Sequence, residues 1–235
     1  MYTKEQVAAT IDHAVLKPEM TDDDIRKNAA MCIRLGVASM CVRPCDVALA
    51  MQLLDGTPVK VSCVLSFPHG ADTTAVKVFQ AKQAIADGVQ EIDMVMNIGK
   101  FMSGNDVYVR NDIREVVEVA HQSGVIVKVI QESGFLTLEQ VAKACILSSE
   151  AGADFVKTST GFGPGSATSE IVDVMLKTVG GRMGVKPSGG IRTWEAAVGY
   201  LKQGATRLGV GSTETVLAGY SASNMRENHA VESEK

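Results

Sequence analysis

At 235 residues the chain can form one large domain with a full core, the usual size of an α/β barrel, roughly 200–250 residues. Apolar residues at 46% and charged residues at 21% fit an ordinary globular protein. A net charge of −4 argues against a general nucleic-acid or membrane-surface partner, while leaving room for a local basic pocket that binds a small anion.

The opening Met1-Tyr2-Thr3-Lys4-Glu5-Gln6 lacks the basic-then-apolar pattern of a secretory leader. No later run approaches the roughly 18 apolar residues of a membrane span. Thr3-x-x-Gln6, Thr21-x-x-Asp24 and Thr137-x-x-Gln140 have capping-box spacing and predict helix starts. Amphipathic stretches predict helices over 76–87, with Val76, Phe79, Ala84 and Ile85 on the buried face, and over 107–122. Five times a helical stretch ends at a glycine (Gly36, Gly88, Gly124, Gly152, Gly204) and a short β-rich apolar run follows. Strands are expected near 11–15, 38–43, 59–67, 91–98, 126–133, 155–160, 183–188 and 206–210. Eight alternating βα units imply a parallel sheet and favour a closed (β/α)8 TIM barrel as a single domain over 1–220. The alternative, an open doubly wound sheet, lacks its usual Gly-x-Gly-x-x-Gly turn here. Residues 221–235 read as a polar tail. The odd set of five cysteines (32, 41, 45, 63, 145) has no histidine pair at zinc spacing, which points to reduced core thiols and a cytoplasmic protein.

Strands buried on both faces should be plainly apolar, yet four carry a charge. Asp93 follows Ile92, Lys128 follows Val127, Lys157 follows Phe155-Val156, and Lys186 follows Gly184-Val185. Lys128 alone reads as a strand-end salt bridge. Lys157, Lys186 and Asp93, each leading into a polar or glycine-rich βα loop, point to the C-terminal mouth where barrels hold their active sites. A lysine is a nucleophile only as the free amine, and burial plus a second ammonium push its pKa down. Two lysines and a proton-carrying carboxylate therefore point to Schiff-base chemistry, without saying which lysine attacks, and they need no cofactor and no metal.

Glycine-rich stretches follow the late strands: Gly161-Phe162-Gly163-Pro164-Gly165, Ser188-Gly189-Gly190-Ile191-Arg192 and Gly209-Val210-Gly211-Ser212. The second and third occupy the places where barrels often bind phosphate, with Thr193 and Ser212-Thr213 able to open helices and Arg192 able to add a charged fork.

Further motifs join these: Asp12-His13-Ala14-Val15-Leu16-Lys17-Pro18, Phe67-Pro68-His69-Gly70, Glu91-Ile92-Asp93-Met94, Phe155-Val156-Lys157-Thr158-Ser159-Thr160-Gly161 and Val185-Lys186-Pro187-Ser188-Gly189-Gly190. From Ile11 to about Ser212 the chain resembles the deoxyribose-phosphate aldolase family. The resemblance implies reversible cleavage of 2-deoxy-D-ribose 5-phosphate to acetaldehyde and D-glyceraldehyde 3-phosphate. It assigns the Schiff base to Lys157, its perturbation to Lys186 and proton relay to Asp93, and it places Asp12, Cys41 and Thr160 beside the substrate. The implied partners are a small phosphorylated sugar and aldehydes, with room for a homo-oligomer. Four features depart from the family pattern. Phe162 stands where some members carry lysine, and Gly211-Ser212 replaces Ser-Ser. Ala14 replaces a common threonine, and Tyr220 is the nearest substitute for a terminal tyrosine.

Three other readings compete. A barrel phosphosugar isomerase would need at most one cation. An inactive sugar-phosphate-binding relative would have lost one of the charged residues. A metal-dependent aldolase would need a histidine cluster, whereas His13, His69, His121 and His229 are scattered.

Overall fold

Successive side chains of a strand alternate between its two faces, so each of the short apolar runs can bury both faces at once. The computed structural model describes residues 2–220; the expected tail over 221–235, with His229, lies outside the described residues. Eight strands form: β1 (Ile11–Val15), β2 (Ser39–Val42), β3 (Lys60–Leu65), β4 (Glu91–Val95), β5 (Ile126–Ile130), β6 (Phe155–Lys157), β7 (Gly184–Lys186) and β8 (Leu208–Val210). All neighbouring pairs are parallel, in the order β7-β6-β5-β4-β3-β2-β1-β8. A parallel bridge between Ser188 and Gly209 joins the two ends. The sheet is therefore a closed (β/α)8 barrel, not the open sheet.

The helices are α1 (Lys4–Ala8), α2 (Asp22–Leu35), α3 (Val47–Leu54), α4 (Thr74–Ala86), α5 (Ile98–Met102), α6 (Asp106–His121), α7 (Leu138–Glu150), α8 (Ser169–Val179) and α9 (Trp194–Gln203), with residues 213–220 also helical. All three expected capping boxes form, each side chain satisfying a free amide at its helix start. The five helix-ending glycines all take positive φ, the conformation a Cβ would penalise. The main core lies between the strands and the helices, and a smaller apolar cluster of Leu16, Cys41 and Val64 sits apart from it. No helix among the described residues is long and apolar enough to cross a membrane.

The reading of 76–87 needs correction. Val76 and Phe79 are exposed, and the buried stripe of α4 is Lys77, Ala81 and Ala84. The i, i+4, i+7 spacing selects those three. Lys77 can be fully buried because its Nζ donates to Asp112 of α6 at 2.6 Å and to the Val95 carbonyl at 3.0 Å. The six buried positions of α6 include Val109, Ile113 and Val116, the face expected for 107–122.

Candidate active site

The barrel interior is built from every second residue of each strand. Register sets Asp93 level with Lys128, and Lys157 level with both Ile130 and Lys186. Lys128 therefore stands one step lower in the barrel than the other two lysines. Most TIM barrels fill this space with branched apolar side chains; here charges fill it. Asp93 Oδ2 accepts from Lys157 Nζ at 2.8 Å and from Lys186 Nζ at 2.6 Å. Its other oxygen accepts from Lys128 at 2.9 Å and from Ser62 at 3.1 Å. Lys186 also donates to Asp12, which takes bonds from Ser39 at 2.6 Å and Arg207 at 2.5 Å. Lys128 and Arg207 both reach Glu91, the latter through a fork at 3.0 and 3.1 Å.

Burial of so many charges is tolerable only because each has an opposite partner. Four cations face three carboxylates, so the fully ionised cluster carries one surplus positive charge. Burial pushes the Asp93 carboxyl up, but Lys128, Lys157 and Lys186 together hold it well below the usual carboxylate range. Burial lowers Lys186, and the opposing pull of Asp12 and Asp93 does not fully restore it. Lys157 departs from the sequence expectation. Burial, the largest single influence, lowers it as expected, yet the charge and hydrogen bond of Asp93, together with Cys41, raise it by more and the net direction is upward. The carboxylate read as a proton relay thus also holds the resting Lys157 ammonium in place.

Lys157 and Lys186 still differ in availability. Lys186 is gripped by two carboxylates, whereas Lys157 has one and its strand continues directly into the Thr160-Gly161 loop. Lys128, read in isolation as a strand-end salt bridge, is a central strut between Asp12, Glu91 and Asp93.

Above the charges opens a cavity of about 440 Å3. Its lining brings together Thr160, Gly161, Gly189, Gly190, Arg192, Gly209 and Ser212, all singled out from sequence. Gly189 and Gly190 both adopt positive φ, and Ser166 Oγ stands 3.0 Å from where a Cβ of Gly190 would lie. At Gly209 a Cβ would lie 2.4 Å from Ser188 Oγ and 3.4 Å from Lys186 Cε, so glycine is what lets β8 pass beside that lysine. Arg192 is exposed and has no carboxylate partner among the described residues. Thr193 caps α9, accepting from the Ala196 amide at 3.2 Å. Two expected lining residues sit deeper. Asp12 is the counter-ion beneath Lys186, and Cys41 is buried beside Ser62, its thiol pushed up by burial. Thr213 is bonded to the buried His13 at 2.8 Å. Tyr220 packs edge-on against Trp194, in the shell of helices. A larger cavity of about 730 Å3 lies at the opposite, N-terminal end of β6 and β7 and includes none of the lysines.

The sequence reading missed several contributors. Glu91 and Arg207 lie at strand starts, where charges usually meet solvent, and only inward alternation from Asp93 and Gly209 could have marked them. Lys17 adds a second exposed cation to the cavity wall. Glu132 is buried at φ 49° and bonds the Thr160 hydroxyl and amide, a role a Gln-Glu-Ser-Gly turn does not advertise.

Comparison with known proteins agrees with this architecture. The family model for DeoC/LacD family aldolases matches residues 6–219. Proteins named deoxyribose-phosphate aldolase from Thermococcus gammatolerans and Clostridium perfringens are 50% and 47% identical, across 91% and 92% of this chain and 96% of each relative. The solved tetrameric deoxyribose phosphate aldolase of Aeropyrum pernix is 29% identical with a TM-score of 0.87, covering 93% of this chain and 92% of that one. A family match spanning nearly the whole chain, with relatives at half identity on the same barrel, makes this protein a member of the DeoC/LacD family of aldolases.

Proposed function

We propose that the protein reversibly cleaves 2-deoxy-D-ribose 5-phosphate to acetaldehyde and D-glyceraldehyde 3-phosphate through an imine on Lys157. The observation that carries this reading is the single Asp93 oxygen shared by the Nζ atoms of Lys157 and Lys186 beneath a glycine-lined cavity. Lys157 Nζ attacks the sugar aldehyde carbon as the free amine, its proton leaving by way of Asp93 at 2.8 Å. Loss of water from the carbinolamine, with protons moved by Asp93, leaves the protonated imine. The C2–C3 bond then breaks, its electron pair flows into the imine, and the C3 hydroxyl gives its proton to the Asp93 carboxylate as the second aldehyde departs; the same proton is then available to the enamine. Protonation of the enamine and hydrolysis release acetaldehyde and restore the amine. Lys186, held by Asp12 and Asp93, keeps a positive field at the imine. The phosphate fits the cavity wall of Gly161, Gly189, Gly190 and Ser212, with Lys17 and Arg192 as cations at its rim. The same reading places the protein in the cytoplasm, as its free cysteines favour, and in a homo-oligomer, as in the tetrameric relative.

Borohydride reduction in the presence of acetaldehyde tests the mechanism. An added ethyl group is expected on the peptide containing Phe155-Val156-Lys157-Thr158, and none in a folded Lys157→Arg protein. Labelling at Lys186 or Lys128 would reverse the assignment, and active enzyme that takes up no label would sink the imine.

A further inference from the structure

The glycine-lined cavity ends at Phe162. A second cavity of about 610 Å3 adjoins it, and Thr160 and Phe162 line both. The two spaces differ in chemistry. The first carries the glycine backbone, Lys17 and Arg192 beside Leu16, Met20 and Ile191; the second has no cation from lysine or arginine and is walled mainly by Pro68, Ile98, Phe135 and Pro164, with His69 and Glu132 as its own polar members.

Core burial does not explain the position of Phe162, a residue that is 48% exposed. It is held in two other ways. Its ring meets Phe67 edge to face, with centroids 5.3 Å apart and planes at 85°, a favourable aromatic geometry. Its amide donates to Thr160 Oγ1 at 3.0 Å, and the Thr160 hydroxyl donates to the Glu132 carboxylate. Glu132 is buried in a left-handed conformation that costs free energy outside glycine. The loop presses on this carboxylate so closely that a Cβ at Gly163 would lie 2.7 Å from Glu132 Cδ. One turn on, Gly165 and Gly134 meet back to back, each with a neighbouring backbone atom within 2.6 Å of where its Cβ would lie. A carboxylate carried on a strained backbone and abutting glycines thus fix an exposed aromatic ring between two cavities, and no step of the cleavage uses them.

We propose that Phe162, clamped by Phe67 and by Glu132 through Thr160, is the specificity-determining partition of the acceptor-aldehyde site. It confines the acceptor to the glycine-lined cavity and shuts off a mainly apolar subsite suited to an uncharged aliphatic chain. Glu132 is a positioning residue, acting through Thr160 on the ring. The proposal rests on the imine aldolase reading and concerns which aldehyde the enamine accepts.

The experiment measures kcat/KM for acetaldehyde addition to hexanal and to propanal, two uncharged acceptors that differ only in chain length. In Phe162→Ala the hexanal-to-propanal ratio is expected to rise about tenfold or more, since the longer chain can bury further methylenes in the opened space. Phe162→Leu should give a smaller rise, and Phe162→Tyr should keep the wild-type ratio. Glu132→Gln, which weakens the clamp without changing size, should raise the ratio while leaving the pH profile of kcat in place. A base acting in the reaction would instead move that profile, which would overturn the positioning role. Borohydride trapping of acetaldehyde runs alongside as a check on each variant. Normal trapping with a ratio unmoved in both Phe162→Ala and Phe162→Leu overturns the partition alone. Failure of trapping in the wild-type protein overturns the imine reading, and the partition with it.

Discussion

Lys77→Met is expected to destabilise the barrel by roughly 3–5 kcal/mol, the usual cost of leaving one member of a buried ion pair without its partner. Lys77 and Asp112 are both 0% exposed, so water cannot replace the lost contact. After the substitution Asp112 keeps only the Thr74 hydroxyl, at 2.8 Å, and the Val95 carbonyl loses a donor at 3.0 Å. Methionine fills most of the lysine volume, so cavity formation adds little. Replacing both partners, Lys77→Met with Asp112→Leu, removes the stranded charge and should return stability to within about 1 kcal/mol of wild type. Urea unfolding followed by the fluorescence of Trp194, the single tryptophan, reads the difference. With a urea slope of about 3 kcal/mol/M, the single variant should unfold at a midpoint roughly 1–2 M lower. The double-mutant cycle then isolates the pair. A single variant that loses under about 1 kcal/mol, or a double variant no better than the single, would refute the account of α4 and α6 as helices joined by a buried charge.

Lys186→Leu removes a neighbouring cation and leaves Asp93 Oδ2 to Lys157 alone; both changes favour the Lys157 ammonium, so the cleavage optimum should move to higher pH. An unmoved optimum in the folded variant would contradict the electrostatic role. A bulky residue at Gly190, or Ser212→Asp, should raise KM for the phosphorylated substrate well above any change for unphosphorylated 2-deoxyribose, because Ser166 Oγ crowds the Cβ position at 190 from 3.0 Å and an aspartate repels the anion; equal losses would place the phosphate elsewhere. Burial lowers the pKa of His13 from its ordinary 6.5. Its contribution to stability is therefore complete above pH 6.5 and is lost as pH falls through the folded value; His13→Asn should flatten that part of the stability profile measured by denaturant titration. Activity should survive exhaustive chelation, since the imine itself supplies the electron sink; activity lost to chelator and restored by zinc would overturn the lysine mechanism.

The alternation of capped helices, terminating glycines and short apolar runs determined the barrel from sequence alone, because each signal is local and repeated along the chain. Lys157, Lys186 and Asp93 were legible for a related reason: a charge inside a doubly buried strand is costly enough to stand out. What periodicity could not supply was the partner of each charge. Lys128 looks the same in sequence whether it ends a strand or braces Asp12, Glu91 and Asp93, and those carboxylates come from β1 and β4. The upward direction of Lys157 likewise depends on an oxygen 2.8 Å away and 64 positions distant in the chain. On α4 the apolar residues suggested one face, and a lysine–aspartate pair formed with α6 decided another. Local pattern fixes which elements form and where a charge is anomalous. Burial, pairing and the resulting proton affinities are set only when distant strands and helices close around one another.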